Sequence, residues 1–501
     1  MQTHSLNKKN QKLGLYLSLF FLLSALFIVA GGWLPRLFLS HTTVYFVHYV
    51  IALAIMVGTL AIGGIWIRLN TETTVWMHPP FLMTIWTIVY MWILGFYPFF
   101  NMLRNPWLMS LFSNDPKVIA NGVYIFPLGL VSLWLVYLLT YHVIRSSPKW
   151  MTNLGGRSIP ASAIWVIYSM SLSAQLIKVV STGIAIDGDR GLLGDFSTLW
   201  QWFTYAESLH LLVLALLVEK TVTEKRSWTP LVVVILIQVL FGYLSGFMKP
   251  IIWIAVIVTL SLLGNGVKVR NYMFASIPLL MLAIGSVPIA EGIRAQVGRF
   301  DSRNLREVTQ AAVEAYENSW GSSAEDGFQR VQDKLLGRQI GIAHTPTIIY
   351  VSTPTRFDYQ GFAKFVAFPT YIIPRAIWPS KPVLVSGNWF NVNYLNAPAT
   401  TDTSAAITFF GEGYMFSSWL GVITTGLLFG MLLAILQRWF LLAKLKPFYF
   451  ALIPLFIDIE SQASIAFIGL IQQAVFMLVI YMVVSTLFKP KAAPKFTLAN
   501  A

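Results

Sequence analysis

The sequence predicts an all-α polytopic membrane protein, and three observations lead there. Of 501 residues, 56% are hydrophobic and only 11% charged, against about 45–50% and ~25% in soluble domains, and the mean hydropathy is +0.66. Apolar runs of the length needed to cross a hydrocarbon core ~30 Å thick as helices, about 20 residues each, recur along the chain between polar punctuation. One long polar stretch, residues 291–415, interrupts this pattern and carries most of the arginine-rich chemistry.

In chain order, spans are expected at 13–33, 43–67, 77–99, 120–143, 161–184, 200–219, 229–247, 250–265, 272–290, 416–437, 447–459 and 462–487. The run Leu13 to Trp33 exceeds the ~7–15 residue core of a cleavable signal, so it reads as a retained first span. Segments 250–265 and 447–459 are short, as tilted, re-entrant or cavity-lining helices are. Twelve spans return both termini to one side, and both are basic: Lys8, Lys9 and Lys12 at the start, Lys489, Lys491 and Lys495 at the end. With the termini cytoplasmic, Arg145, Lys149, Arg157, Lys220, Lys225, Arg226, Lys268, Arg270, Arg438, Lys444 and Lys446 all fall on inner loops, as the positive-inside rule requires. The expected organisation is an N-terminal bundle of about nine helices over 1–290, a large, partly helical periplasmic loop over 291–415, and C-terminal helices with a cytoplasmic tail over 416–501. A membrane is the expected location.

Zero cysteines exclude disulfides, thiolate metal sites and cysteine nucleophiles together. The formal charge of +14 fits contact with anionic lipid or a lipid-linked phosphate, and its scatter over loops on both sides argues against nucleic acid. No P-loop, G-x-S-x-G or HExxH pattern occurs, so ATP-driven transport, serine hydrolysis and zinc proteolysis have no support.

The polar stretch reads as follows. Glu291, Arg294, Arg299, Asp301, Arg303 and Arg306 emerge directly from the ninth span, where guanidiniums either anchor a helix end to headgroups or bind a lipid-attached anion. Asn304 to Glu307 resembles a capping box, and Ser323 to Asp326 a second cap before Phe328, Val331, Leu335 and Leu336, one apolar stripe. Arg330, Lys334 and Arg338, at i, i+4 and i+8, stack on one face; such a row suits a diphosphate or is a solvated helix surface. The segment YIIPRAIWPSKP, Tyr371 to Pro382, places Arg375 and Lys381 on backbone stiffened by three prolines, which presents cations at low entropic cost. Asn388 to Thr403 is rich in amide, hydroxyl and aromatic side chains, the groups sugars use. His344, in GIAHTP, is either a general base or incidental, and Glu412, in FFGEGYMF, either sits close to substrate or caps the following helix.

Inside the spans, Lys178, Glu207 and His210 are costly in hydrocarbon unless paired or facing water. They read as a Lys178–Glu207 ion pair or as a polar path for substrate or protons; a single Glu-x-x-His is half of what a two-metal bundle uses.

The dozen spans, the large outer loop, the IPRAIWPSKP segment and the FFGEGY run resemble the bacterial oligosaccharide repeat-unit polymerases, the Wzy-type O-antigen polymerase family. The resemblance implies a GT-C-like architecture and polymerisation of undecaprenyl-diphosphate-linked repeat units, for O-antigen, capsule or exopolysaccharide, at the periplasmic face. It implies no cofactor and no metal, with membrane lipid, a chain-length regulator and a flippase as further partners. Arg330 and Gly341 match an R-x10-G pattern found in some members. Under this reading Arg375, Arg338 and Arg294 hold the diphosphate, supported by Arg299, Arg330 and Lys381, because an arginine fork binds phosphate oxygens in pairs. Glu412 is the first candidate base, followed by His344 and Glu291. An O-antigen ligase, with the same donor and a lipid A core acceptor, and a non-enzymatic transporter of the lipid-linked glycan are the alternatives.

Overall fold

The computed structural model describes residues 41–71, 73–88, 121–155, 159–182, 197–244, 249–267, 345–361, 387–398, 407–459 and 464–488, with isolated positions near 310–317 and 370–378. Among the described residues every regular element is helical. They are α1 (His41–Asn70), α2 (Pro79–Trp86), α3 (Ile125–Val143), α4 (Lys149–Gly155), α5 (Ala161–Thr182), α6 (Ser197–Glu207), α7 (Leu209–Thr223), α8 (Thr229–Leu244), α9 (Lys249–Gly264), α10 (345–352), α11 (Gly387–Tyr394), α12 (Phe409–Leu442), α13 (Lys446–Ile459) and α14 (Ser464–Leu487). Five described helices are long and apolar enough to cross a membrane: Val47–Asn70, Ile125–Val143, Trp202–Thr223, Phe409–Leu442 and Ile468–Leu487. The short segments expected near 250 and 447 are α9, 16 residues, and α13, 14 residues with Pro454 inside; at ~1.5 Å per residue both fall short of the ~30 Å core. The first and ninth expected spans, 13–33 and 272–290, lie outside the described residues.

The chain forms two compact units. Unit 1 comprises 1–145, 332–437 and 455–469; unit 2 comprises 146–331, 438–454 and 470–501.

In unit 1 the helix directions can be read from side-chain contacts. His48 meets Tyr124, Gly63 lies against Trp134, and Trp66 meets Tyr141, so α1 and α3 run parallel. Gly426 lies against the Gly129 carbonyl and Gly430 against that of Leu133, so the second part of α12 runs parallel to them as well. Thr84 accepts from Trp134 Nε1, 2.9 Å, and His78 Nδ1 lies 2.5 Å from Tyr137 OH, which sets α2 antiparallel to α3. These relative directions are those implied by spans 2, 4 and 10 sharing parity and span 3 opposing it. Gly426 and Gly430 are a small-x-x-x-small pair; without Cβ atoms the two backbones touch, which is how apolar helices adhere where lipid is as hydrophobic as leucine.

One chain of polar groups ties this bundle together. Thr73 Oγ1 lies 2.8 Å from His78 Nε2, His78 Nδ1 meets Tyr137, Tyr137 O–H donates to Gln437 Oε1, and Gln437 Nε2 donates to the Met77 carbonyl at 2.7 Å. The directions are mutually consistent for a neutral imidazole: Thr73 donates to Nε2 and Nδ1–H donates to Tyr137. Every link therefore has a donor and an acceptor, the condition for keeping polar groups in an apolar interior.

Unit 2 packs α5 to α9 around α7, whose residues from Leu209 to Val218 are buried throughout. Close approaches again fall at glycines: Gly155 against the Ala443 carbonyl, Gly242 against Ile251, and Gly264 against Phe450. Tyr205 O–H donates to Gln472, and Phe448 meets Phe440 and Tyr481.

Candidate functional site

The expected tenth span, 416–437, corresponds to the second arm of a helix that the structure breaks just after Phe416. The backbone of α12 leaves helical geometry at Ser417 (φ −162°, ψ 40°) and Ser418 (φ 59°, ψ −148°), and the flanking contacts show a reversal of the chain. Phe409 meets Phe429 edge-on, 5.0 Å between centroids; Gly413 lies against Thr425; Gly421 lies against Gly413 and the Ser417 side chain. Positions rise on one side as they fall on the other, so residues 409–416 (α12a) run antiparallel to 419–442 (α12b). The arm long and apolar enough to cross a membrane is α12b, and α12a is a short helix that leads up to it from the opposite direction. Short, broken helices of this kind are tolerated in apolar surroundings where protein encloses them.

Glu412 therefore sits on the half-helix and is 1% exposed. The expectation of an interfacial cap for the next span does not hold. Gly411 N–H donates to Thr408 Oγ1 at 3.2 Å, so Thr408 caps α12a, while Glu412 N–H makes an ordinary helical bond to the Thr408 carbonyl. On one side of Glu412, Gly411 packs against Thr408 and Ile349 of α10; on the other, Gly413 packs against α12b. Phe410, beside it, fills the space at Gly129 and meets Phe126 of α3. A carboxyl group enclosed this far in an apolar bundle is costly.

The far end of α12a is closed by the polar stretch itself. Gln360 N–H donates to the Met415 carbonyl at 3.0 Å and Gly361 N–H to the Phe416 carbonyl at 2.9 Å, satisfying acceptors that a helix end leaves open. Gly361, at φ 83°, adopts the left-handed conformation that glycine accepts without strain. Around this end cluster Tyr350, Tyr359, Tyr414 and Trp419: Tyr350 and Tyr414 are 5.4 Å apart, Tyr414 and Trp419 5.3 Å, Tyr359 and Tyr414 6.0 Å. Asn121 Nδ2 donates to Tyr350 OH at 3.0 Å, joining α10 to the segment before α3.

A second aromatic group lies further along the same stretch. Tyr394 is stacked between Phe357, 4.5 Å, and Phe390, 4.8 Å, and shares a 2.9 Å hydrogen bond with Thr353 Oγ1. Burial pushes the Tyr394 phenol above its ordinary range, opposed by the Thr353 bond and the nearby Arg356 charge. Trp389 borders the stack, 5.7 Å from Tyr394. Sequence reasoning passed over Arg356, Phe357 and Tyr350, for which 345–361 carries no local signal, its aromatic content being close to the chain's 15%.

In unit 2 the Glu207–His210 pair is also reshaped. Ser208 separates α6 from α7, and Leu211 N–H bonds the Ser208 carbonyl. The Glu207 carbonyl accepts instead from Ser171 Oγ, 2.5 Å, and His210 Nδ1, 2.7 Å. Gln175 and Gln238 pair through both amides, at 2.9 and 3.1 Å, with Tyr168 OH 3.4 Å from Gln238. So His210 is held by a backbone carbonyl, and the pair forms one polar knot with α5 and α8. The side chain of Lys178 is outside the described residues, and so are Arg294, Arg299, Arg330, Arg338, Arg375, Lys381, Glu291 and His344.

Among the described residues the chain is thus all-helical, with helices long and apolar enough to span a membrane, and its polar stretch folds onto a short half-helix bearing a buried glutamate. It belongs to the family whose model is described as a domain of unknown function (DUF8712), which matches residues 163–439, more than half of the chain. That range contains both Glu412 with its aromatic surroundings and the unit 2 polar knot. No curated protein and no solved structure matches the chain.

Proposed function

We propose that this protein is an inner-membrane glycosyltransferase that polymerises undecaprenyl-diphosphate-linked oligosaccharide repeat units at the periplasmic face. The observation that carries the reading is Glu412, 1% exposed, on a half-helix stitched to the aromatic and amide-rich polar stretch. The chemistry asked of the site is a displacement. A hydroxyl oxygen of the acceptor glycan forms a bond to C1 of the donor glycan, the bond from C1 to the phosphate oxygen breaks, and undecaprenyl diphosphate departs with that electron pair. Glu412 takes the hydroxyl proton, a contribution typically of ~10²–10⁴ in rate. The leaving group carries the free energy, so no nucleotide is required. Arg375, Arg338 and Arg294, with Arg299, Arg330 and Lys381, neutralise the departing diphosphate, as oriented guanidiniums do; His344 and Glu291 are the reserve bases. The twelve-span topology with both termini cytoplasmic belongs to the same proposal.

The test supplies the purified full-length protein, in liposomes, with lipid-linked repeat unit and no nucleotide. Dimers and longer glycans are expected, and Glu412→Gln is expected to suppress them. A product attached to a lipid A core acceptor instead would make the protein a ligase.

One observation favours a second reading, a transporter of the lipid-linked glycan. Unit 2 holds a helix break and a buried Gln175–Gln238–His210 group among apolar helices, features that line substrate paths in transporters. That reading predicts that replacing Glu207 or His210 abolishes export while Glu412→Gln does not.

A further inference from the structure

We infer that Arg356, with Asn396 and the rings of Phe357 and Trp389, forms a subsite for a carboxylate-bearing sugar of the glycan; the choice of a glycan as ligand rests on the glycosyl-transfer reading above. Arg356 is exposed on the turn that follows α10. Its guanidinium is nevertheless positioned: Nη2 donates to Asn396 Oδ1 at 2.8 Å, and Cζ lies 5.0 Å from the Phe357 ring centroid. Phe357 in turn stacks on Tyr394, which is anchored to Thr353 and Phe390. The cation therefore rests on layered rings and one amide. Asn396 itself adopts φ 55°, a left-handed conformation that asparagine tolerates better than most residues, and Ala397 N–H donates to the Asn391 carbonyl at 3.1 Å, so the loop that presents the amide is itself fixed.

Among the described residues the guanidinium makes no ion pair. Of its five N–H donors, one is used by Asn396. An arginine oriented by neutral groups, with its fork open to solvent, is set up to receive an external planar anion. Charge decides which anion. Among the described residues the exposed charges of this turn are Arg356 and, two residues on, Asp358, which cancel. A diphosphate, with two or more negative charges, finds no net attraction there; a single carboxylate finds one bidentate partner. The rim supplies what the rest of a sugar needs. Trp389, half-buried and 6.3 Å from Phe357, adds an aromatic ring of the kind that packs on pyranose C–H groups, and an amide stands at Asn396. A hexuronate combines these features: one carboxylate, one apolar ring face and several hydroxyls.

The experiment is calorimetric titration of full-length protein in lipid nanodiscs with galacturonate trisaccharide, its methyl ester and inorganic pyrophosphate, for the parent and for Arg356→Ala, Arg356→Lys and Asn396→Ala. The acid is expected to bind about tenfold or more tightly than the ester. Arg356→Ala should erase that preference, Arg356→Lys should recover only part of it, and unchanged melting temperatures should show that the variants fold. Equal binding of acid and ester, no binding of either by the parent, or pyrophosphate binding that disappears with Arg356→Ala would each overturn the assignment. The polymerisation assay is read separately. Polymer formed without any acid preference removes this subsite alone, whereas an Arg356-dependent acid preference without polymer leaves the subsite and removes the polymerase reading.

Discussion

Both units interrupt an apolar helix shortly after a glutamate, at Ser417–Ser418 following Glu412 in unit 1 and at Ser208 following Glu207 in unit 2, yet the chain reverses in the first case and carries on in the second. The difference lies in what occupies the gap. In unit 1 the backbone itself fills it, because Gly413 and Gly421 let two helices touch with no side chain between them. In unit 2 side chains fill it: Ser171 and His210 supply donors to the Glu207 carbonyl, and Ser208 keeps right-handed helical angles, φ −65° and ψ −11°. A plugged break preserves a span, whereas a backbone-to-backbone reversal creates a short helix with a place to hold a functional group.

The strongest way to break this comparison is chemical. Glu412→Gln is expected to lower glycan transfer by ~10²-fold or more at unchanged melting temperature, while Glu207→Gln changes it only a few-fold; a reversed outcome in a paired liposome assay moves function into unit 2. Next comes the reversal itself. Gly421→Val forces a branched side chain against the Gly413 carbonyl and should cost about 3 kcal/mol or more, seen as lost monodisperse protein on size exclusion, whereas Ser208→Ala should be tolerated. Third, Tyr137→Phe removes the link between His78 and Gln437 and is expected to cost ~1–3 kcal/mol for the buried groups left unmatched. The corresponding change in unit 2, Gln238→Leu, should cost less, ~0.6–1.7 kcal/mol; thermal shifts of the two variants measured side by side test the ranking.

The smallest effect concerns pH. Glu224 accepts from Lys220 at 2.6 Å and pairs with Arg226 at 2.6 Å, and the Lys220 hydrogen bond, aided by both positive charges and opposed by partial burial, holds its carboxyl below the usual range. The folded value is depressed, so the stabilisation is complete above the unfolded value of ~4.3 and is lost as pH falls through the folded one. Melting temperature recorded from pH 6 downward should drop slightly more in the parent than in Glu224→Gln.

Among the described residues, the helical class and the place of several long apolar helices were legible, because ~20-residue apolar runs have one solution in a bilayer. The run from Ser464 to Leu487 came within two residues of the expected span, and α9 and α13 are as short as the composition implied. The reversal at Ser417 was not legible. Phe409 to Leu442 carries no charge apart from Glu412 and Arg438, and the break depends on glycines eight positions apart meeting in space. Nor was the Thr73–His78–Tyr137–Gln437 chain, since a tyrosine and a glutamine 300 residues apart leave no local pattern. Arg356 was overlooked because a lone arginine lacks spacing; its meaning comes from Asn396, 40 residues away. The arginines singled out from the sequence lie outside the described residues.

The bond between Tyr137 and Gln437 also bears on how the molecule is made. A ribosome must deliver 300 further residues, including the whole 146–331 part of unit 2, before the phenol of α3 meets its amide. At ~5–20 residues per second the early helices wait for tens of seconds in the insertion machinery or in lipid with polar groups facing hydrocarbon. Truncation shortly before Gln437 leaves the Tyr137 phenol without its amide and should yield a product that quality-control proteases remove.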